Sequence, residues 1–344
     1  MRRHLAFNRP TDFLRRRDFS QKMEATFDFI RAHATPLVRV LVVLVLPLAL
    51  LTGIGTSLLQ GQMLTFLASV VRHKNMGTQA PYSNNIMPEF FTSPTLWLTM
   101  LSGMLLFAVV HLTVFGYVIL QAERTTDEPI TAGEVWQVVK SRFLGMIGSL
   151  VGLGLLFVAG LLLMGGFIAG FGMLLQSVSS ALSLLPVFFF YIAIFYAIAP
   201  LSLFFIVWLR EGRGFFGSIG RSFRLVWGKW WSTFGLLVVI TLIMYLILLL
   251  SMGLLSVVGL PIGGLVSVEP DASSTRVLLI VYSALQSLVT LVYYPFILVA
   301  ISFQYFNLVE RLDGTGTRLM VEAIGAPVPV AAAQALRPDD EGEY

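Results

Sequence analysis

Few residues in this chain could do chemistry, and they are scattered. The four histidines, His4, His33, His73 and His111, lack the spacing of a metal cluster, and no H-E-x-x-H occurs. Cysteine is absent, which excludes disulfides, thiolate nucleophiles and Cys-ligated metals. There is no G-x-S-x-G elbow and no Walker A loop. The long apolar stretches contain no aspartate, so the carboxylate pair of an intramembrane aspartyl protease is missing too. Of the four histidines only His111 sits inside such a stretch. At depth it could serve as a proton or polar-headgroup site, but such a histidine more commonly hydrogen-bonds a neighbouring helix. Nothing marks a catalytic residue, a cofactor site or a metal site, and the expectation is a protein that is not an enzyme.

The elements that must position these residues follow from composition. The 344 residues are 56% hydrophobic and 12% charged, with a mean hydropathy of +0.82. A soluble domain carries about 25% charged residues. That deficit excludes a soluble enzyme, a disordered chain and a nucleic-acid binder. No Asp, Glu, Lys or Arg occurs in Val40–Val71, Phe90–Ala122, Phe143–Leu209, Trp230–Val268 or Val277–Val309. The third run is too long for one span of about 20 residues. Gln176, Ser177, Ser179 and Ser180, then Pro186, divide it. Six spans are predicted, near 37–60, 95–121, 144–174, 184–209, 231–257 and 277–308. Barrel strands would alternate over about 10 residues, and these runs do not. The fold class is therefore an all-α polytopic membrane protein. Pro47, Pro200 and Pro295 fall inside spans and predict kinks.

Charge sets the orientation. The segment before span 1 carries nine Lys and Arg residues, the loop between spans 2 and 3 three, the loop between spans 4 and 5 five, and the C-terminal tail three. The opposite loops hold only Arg72, Lys74 and Arg276. Twenty against three is a strong positive-inside bias, which places both termini in the cytoplasm of a cell bounded by an inner membrane. The first apolar run starts too far from Met1 for a cleaved signal peptide.

Each basic segment also carries an amphipathic stripe ahead of an odd-numbered span: Phe19, Met23, Phe27, Ile30; then Val135, Trp136, Val139, Phe143; then Phe215, Ile219, Phe223, Trp227, Trp230. Thr131 and Glu134 have the spacing of a capping box before the second. Three helices lying in the membrane interface are expected, each opening one copy of a threefold repeat, in units of about 19–122, 123–210 and 211–320. Residues 1–18 form a basic N-terminal segment, and 321–344 a disordered tail. Arg15, Arg16, Arg17, Arg221, Arg224 and Lys229, with Trp227, Trp230 and Trp231, are candidate contacts to anionic lipid headgroups. Gly148 and Gly152, and Gly166 and Gly170, have small-xxx-small spacing for close helix packing, within the chain or in a homo-oligomer. Gln121, Gln176, Gln286 and Gln304 are expected at helix–helix or interfacial contacts, and the run 259–264 is expected to end span 5.

The third unit carries a resemblance. Phe215, Ser218, Ser222-Phe223-Arg224-Leu225, Gly228, Trp230-Trp231 and Phe234-Gly235, with Tyr294-Pro295, Gln304-Tyr305-Phe306-Asn307-Leu308 and Arg311, resemble the bacterial membrane-domain family named after glycerophosphoryl diester phosphodiesterases. The likeness covers about residues 19–320. It implies a six-helix membrane module. The phosphodiesterase barrel that gives the family its name, with its clustered Glu, Asp and His, has no counterpart here, so that activity does not carry over. The family supplies no catalytic residues to transfer.

The expected role is that of a non-enzymatic integral protein of the cytoplasmic membrane: a scaffold, a lipid-interacting element or a subunit of a protein partner. Transport of apolar or zwitterionic, lipid-like cargo is the competing reading. Protease added outside intact cells should leave both ends of the chain uncut; cleavage at either end would overturn the orientation.

Overall fold

An uncharged run buried away from water must satisfy its own backbone, and the α-helix does so within one segment. The computed structural model describes Phe7 and residues 9–75, 91–124, 128–175, 185–257 and 273–325. Among these residues every regular element is a helix: α1 (Pro10–Phe13), α2 (Phe19–Leu44), α3 (Leu46–Asn75), α4 (Pro94–Glu123), α5 (Ala132–Leu175), α6 (Leu185–Ser202), α7 (Phe204–Glu211), α8 (Gly214–Val226), α9 (Trp230–Val257), α10 (Ser273–Asp313) and α11 (Thr315–Gly325). The turn expected around Gln176–Ser180, the run 259–264, most of the loop after Arg72 and the tail after Gly325 lie outside the described residues.

Among the described residues five segments are long and apolar enough to cross a membrane: Pro94–Glu123, Ala132–Phe171, Leu185–Glu211, Trp230–Ser251 and Ile280–Asp313. Phe19–Leu44 and Leu46–Met63 make a sixth if that bent pair is one span. The pair bends by 57°. Pro47 accounts for the bend, because it offers no N–H to the Val43 carbonyl and its ring crowds that oxygen. Pro36 acts similarly on α2, where His33 leaves helical geometry at φ −112° and ψ 17°. The helix carrying Pro200 ends at Ser202, and the Leu203 N–H closes a tighter turn on the Pro200 carbonyl at 3.1 Å. Pro295 sits within an unbroken α10.

The three amphipathic stripes fare differently. The third stands apart as α8, set off by Gly212 at φ 63° and Gly228 at φ 72°, left-handed positions that favour glycine. The first two continue without a gap into α2 and α5. The Thr131–Glu134 capping box forms: Thr131 N donates to Glu134 Oε2 at 2.7 Å, and Glu134 N donates to Thr131 Oγ1 at 3.3 Å.

α10 is the axis of the packing. It contacts α2, α3, α4, α8 and α9, while α4 packs on α3 and α5. α4 is the most enclosed of the apolar helices and α5 the least. Ahead of α2 the chain is drawn into one end of this bundle. Phe7 and Phe13 are fully buried and meet Phe29, Phe303 and Phe306 with ring centroids 5.3–5.9 Å apart. Gln121 Nε2 donates to the Phe7 carbonyl at 3.2 Å. The Arg17 N–H donates to Asn307 Oδ1 at 2.8 Å, and its guanidinium lies 5.2 Å from the Phe303 ring centre.

α11 turns back beneath this segment. Glu310 accepts from Gly316 N at 2.5 Å, Thr317 N at 3.0 Å and Thr317 Oγ1 at 2.6 Å. A Cβ on Gly316 would collide with the Leu14 carbonyl oxygen and stand 2.9 Å from Glu310 Oε2. Gly316→Ala should therefore cost about 1–3 kcal/mol of local packing and loosen the N-terminal segment. Limited trypsinolysis of the purified protein reads this out: faster cutting at Arg15–Arg17 is expected, and a wild-type pattern would show that the contact does not hold the segment.

Candidate functional site

Two polar stripes face each other inside the bundle. On α3, Thr52, Thr56 and Gln60 recur at steps of four, so they share one helix face. On α10, Tyr282, Ser283, Gln286 and Ser287 do the same at i, i+1, i+4 and i+5. Between them lies a cavity of about 310 Å³, walled also by Leu41, Val45 and Ala49 and by Gly103, Leu106, Phe107 and Val110 of α4. That volume falls within the range of small-molecule sites, about 300–1,000 Å³. No charged side chain lines it. Val45, where the bent pair breaks, forms part of the wall.

Glycine brings the two stripes together. A Cβ at Gly53 would collide with Ser287 Oγ and stand 3.0 Å from the Ser283 carbonyl oxygen. Gly55 is similarly close to Thr99 Oγ1, at 2.9 Å. The wall hydroxyls divide into two groups. Thr52 donates to the Leu48 carbonyl, Thr56 to the Thr52 carbonyl and Ser287 to the Ser283 carbonyl, each at 2.8 Å. Tyr282 OH, Ser283 Oγ and Gln60 Oε1 are buried and have no hydrogen-bond partner among the described residues. Tyr282 is 3% exposed and Ser283 5%. An unsatisfied buried polar group costs about 1–3 kcal/mol, and three around one cavity form a site with hydrogen-bonding capacity to spare.

His111 is adjacent to this cavity but does not line it. Its ring stacks on Phe107 at 3.7 Å and meets Phe205 and Phe115 edge-on at 5.3 and 5.7 Å. Nδ1 lies 2.8 Å from the Phe107 carbonyl oxygen. A carbonyl only accepts, so Nδ1 carries the proton. This geometry makes His111 a cage residue that holds Phe107 against the cavity.

The basic residues divide between surface and interior. Arg15, Arg16, Arg224, Lys229, Trp227 and Trp231 are exposed. Trp230 is half-buried, stacked on Phe234 at 4.8 Å, and donates from Nε1 to the Tyr196 carbonyl at 2.8 Å. Arg17 and Arg221 are turned inward. Arg17 donates to the Phe13 carbonyl at 2.9 Å and to the Asp12 carbonyl. Burial pushes its pKa down to about 10, Arg15 acts in the same direction and Asp12 opposes both; it remains cationic at neutral pH. Arg221 bridges Glu211, at 3.1 and 3.2 Å, to Asp313. Burial works against its charge, but the hydrogen bond to Asp313 and the Glu211 carboxylate outweigh it and raise its pKa. Tyr305 OH donates to the same Glu211 at 3.0 Å.

Of the four spaced glycines only Gly152 packs closely, with its Cβ position 2.9 Å from the Phe215 ring. A Cβ on Gly148, Gly166 or Gly170 would meet nothing within 4 Å among the described residues. Gln304 makes the inter-helix contact its position implies, donating from Nε2 to Thr233 Oγ1 at 2.8 Å. Sequence reasoning passed over Thr52, Thr56, Gln60, Tyr282 and Ser283, although the four-residue steps of polar groups in apolar runs were a usable signal. Among the described residues no group of His, Asp and Glu could hold a metal ion.

Compared with protein-family models, curated proteins and solved structures, the chain matches none.

Tyr282→Phe removes a buried hydroxyl without changing the packing. In lipid-stripped protein it should leave Tm unchanged or raise it, since the hydroxyl has no partner to lose. A clear fall in Tm would show that this hydroxyl is bonded within the fold.

Proposed function

We propose that this chain is a non-enzymatic integral protein of the cytoplasmic membrane that holds a lipid-like molecule in the cavity between α3, α4 and α10. The observation that supports the reading is the pairing of apolar walls with the unpartnered Tyr282 OH, Ser283 Oγ and Gln60 Oε1. A hydrocarbon tail fits the walls, and a hydroxyl, ester or amide group fits the three polar atoms. The absence of charge from the lining argues for a neutral or zwitterionic ligand, because an unpaired charge at depth is costly. From Tyr282 to Tyr294 the lined part of α10 is ~18 Å long, and from Ala49 to Gln60 that of α3 is ~16 Å. One leaflet's share of the hydrocarbon core is ~15 Å, so an acyl chain can lie along the cavity.

The charge bias supports cytoplasmic termini, and the amphipathic α8 with its exposed Trp227 suits the interface on that side. A second reading, movement of lipid-like cargo, draws support from the bend at Val45. A helix pair that breaks in the cavity wall could change the opening by altering that angle. Resemblance to the phosphodiesterase-linked membrane-domain family accords with either role.

Gly103→Leu tests the first reading. Gly103 lines the cavity and a Cβ there meets no atom within 4 Å, so the larger side chain enters open space and gains helix propensity of roughly 1 kcal/mol. The variant should keep or raise its Tm and lose co-purifying lipid in native mass spectrometry. Unchanged lipid retention in a well-folded variant would defeat the proposal.

A further inference from the structure

A second cavity lies ~20 Å further along α10, since Asn307 is thirteen residues past Tyr294, and it has the opposite chemistry. Its volume is about 130 Å³, and Arg17, Lys22, Lys229 and Arg311 line it with Asp18, Ser232 and Asn307. Four basic residues and one acidic residue thus line it, with the Arg17 guanidinium itself turned to the Phe13 and Asp12 carbonyls. Lys22 is 1% exposed. Its Nζ donates to Ser232 Oγ at 2.9 Å and to Gln304 Oε1 at 2.8 Å, both neutral acceptors. An ammonium has three N–H groups, so one remains. Arg311 spends two of its five N–H groups, on Asn307 Oδ1 and the Arg17 carbonyl, each at 3.3 Å. Among the described residues no ion pair includes Lys22, Lys229 or Arg311. Glu310, the next carboxylate along α10, is committed to Gly316 and Thr317.

Two long helices also begin here. Asp18 and Phe19 open α2, and Lys229 and Trp230 open α9. The positive ends of their dipoles add to the field of the side chains, although at α2 the Asp18–Gln21 capping box takes up the first N–H groups. A buried cation left without a counter-charge is unfavourable by itself. Here Lys22 shares the cavity with Lys229 and Arg311, at the meeting of two helix N-termini, and the exposed Lys229 and Asp18 connect it to the surface.

We infer that this cavity is a binding site for a phosphate group, held by Lys22, Lys229 and Arg311 with Ser232 as a neutral contact. Its ligand is a phosphate ester at the basic end of the bundle, either a lipid headgroup or a soluble phosphate. Such basic pockets between membrane helices suit anionic headgroups, and charge-assisted hydrogen bonds to phosphate are among the strong ones. This inference does not rest on the cavity between α3, α4 and α10, whose lining carries no charge.

The test uses the full chain in a phosphate-free detergent, with inorganic phosphate, short-chain phosphatidic acid and the matching diacylglycerol as probes, read as binding curves from thermal shift. Phosphatidic acid should bind and diacylglycerol should not. Binding of inorganic phosphate with equal affinity assigns the site to soluble esters, and binding of phosphatidic acid alone assigns it to lipid headgroups. Lys229→Ala, at an exposed position, should weaken binding roughly tenfold, as should Lys22→Met, while Lys229→Arg should retain it. Asp18→Asn keeps a good helix N-cap and removes the opposing carboxylate, so it should tighten binding several-fold. Failure of both phosphate probes to bind would overturn the inference. So would an equal loss from Arg224→Ala, a surface arginine outside the cavity, because that would reduce the effect to general surface charge.

Discussion

A polar group placed in hydrocarbon must find its partner inside the protein, and α10 shows how this chain meets that demand. Its last turns carry Gln304, Tyr305, Asn307, Glu310, Arg311 and Asp313 in close succession. They are bonded to several parts of the chain: Gln304 to Lys22 and Thr233, Tyr305 to Glu211, Asn307 and Arg311 to Arg17, Glu310 to Gly316 and Thr317, Asp313 to Arg221. One helix end thus ties down α2, α7, α8, α9, α11 and the segment before α2. Charge is gathered where partners exist, and the apolar length of the same helix is left to pack.

That arrangement explains why the N-terminal segment is part of the fold. Phe7 and Phe13 fill the space among Phe29, Phe303 and Phe306, and Arg17 covers Phe303 while its guanidinium satisfies the carbonyls of Asp12 and Phe13. The basic end is therefore sealed by aromatic rings. Deeper in the bundle Gly53 and Gly55 allow close approach of α3 to its neighbours, and the 57° bend turns α3 away from α2 at the level where the cavity begins.

Much of this was legible beforehand for physical reasons that act locally. Runs without charge became helices because no other element satisfies its backbone alone. The Thr131–Glu134 box formed because its bonds span three residues. Pro47 and Pro200 disrupted their helices through a missing N–H within one turn, whereas Pro295 did not interrupt α10. The spaced glycines were a weaker guide, since spacing places residues on one face but does not say what that face meets. Gly152 met Phe215, and the other three met no described residue. Arg17 and Arg221 were read with the surface arginines because sequence does not distinguish a cation facing water from one folded against carbonyls or carboxylates.

Residue order alone determined the helical class, the approximate spans and the sorting of charge, since hydropathy and capping depend on neighbours within a few positions. Tertiary packing decided which polar residues are satisfied and which are left over. Thr52, Thr56 and Gln60 lie more than 200 positions from Tyr282 and Ser283, and only the contact of α3 with α10 turns two ordinary stripes into one cavity. Lys22 likewise acquires its surroundings from α9 and α10. Long-range contact fixes burial and counter-charge, and those two quantities separate a site from a surface.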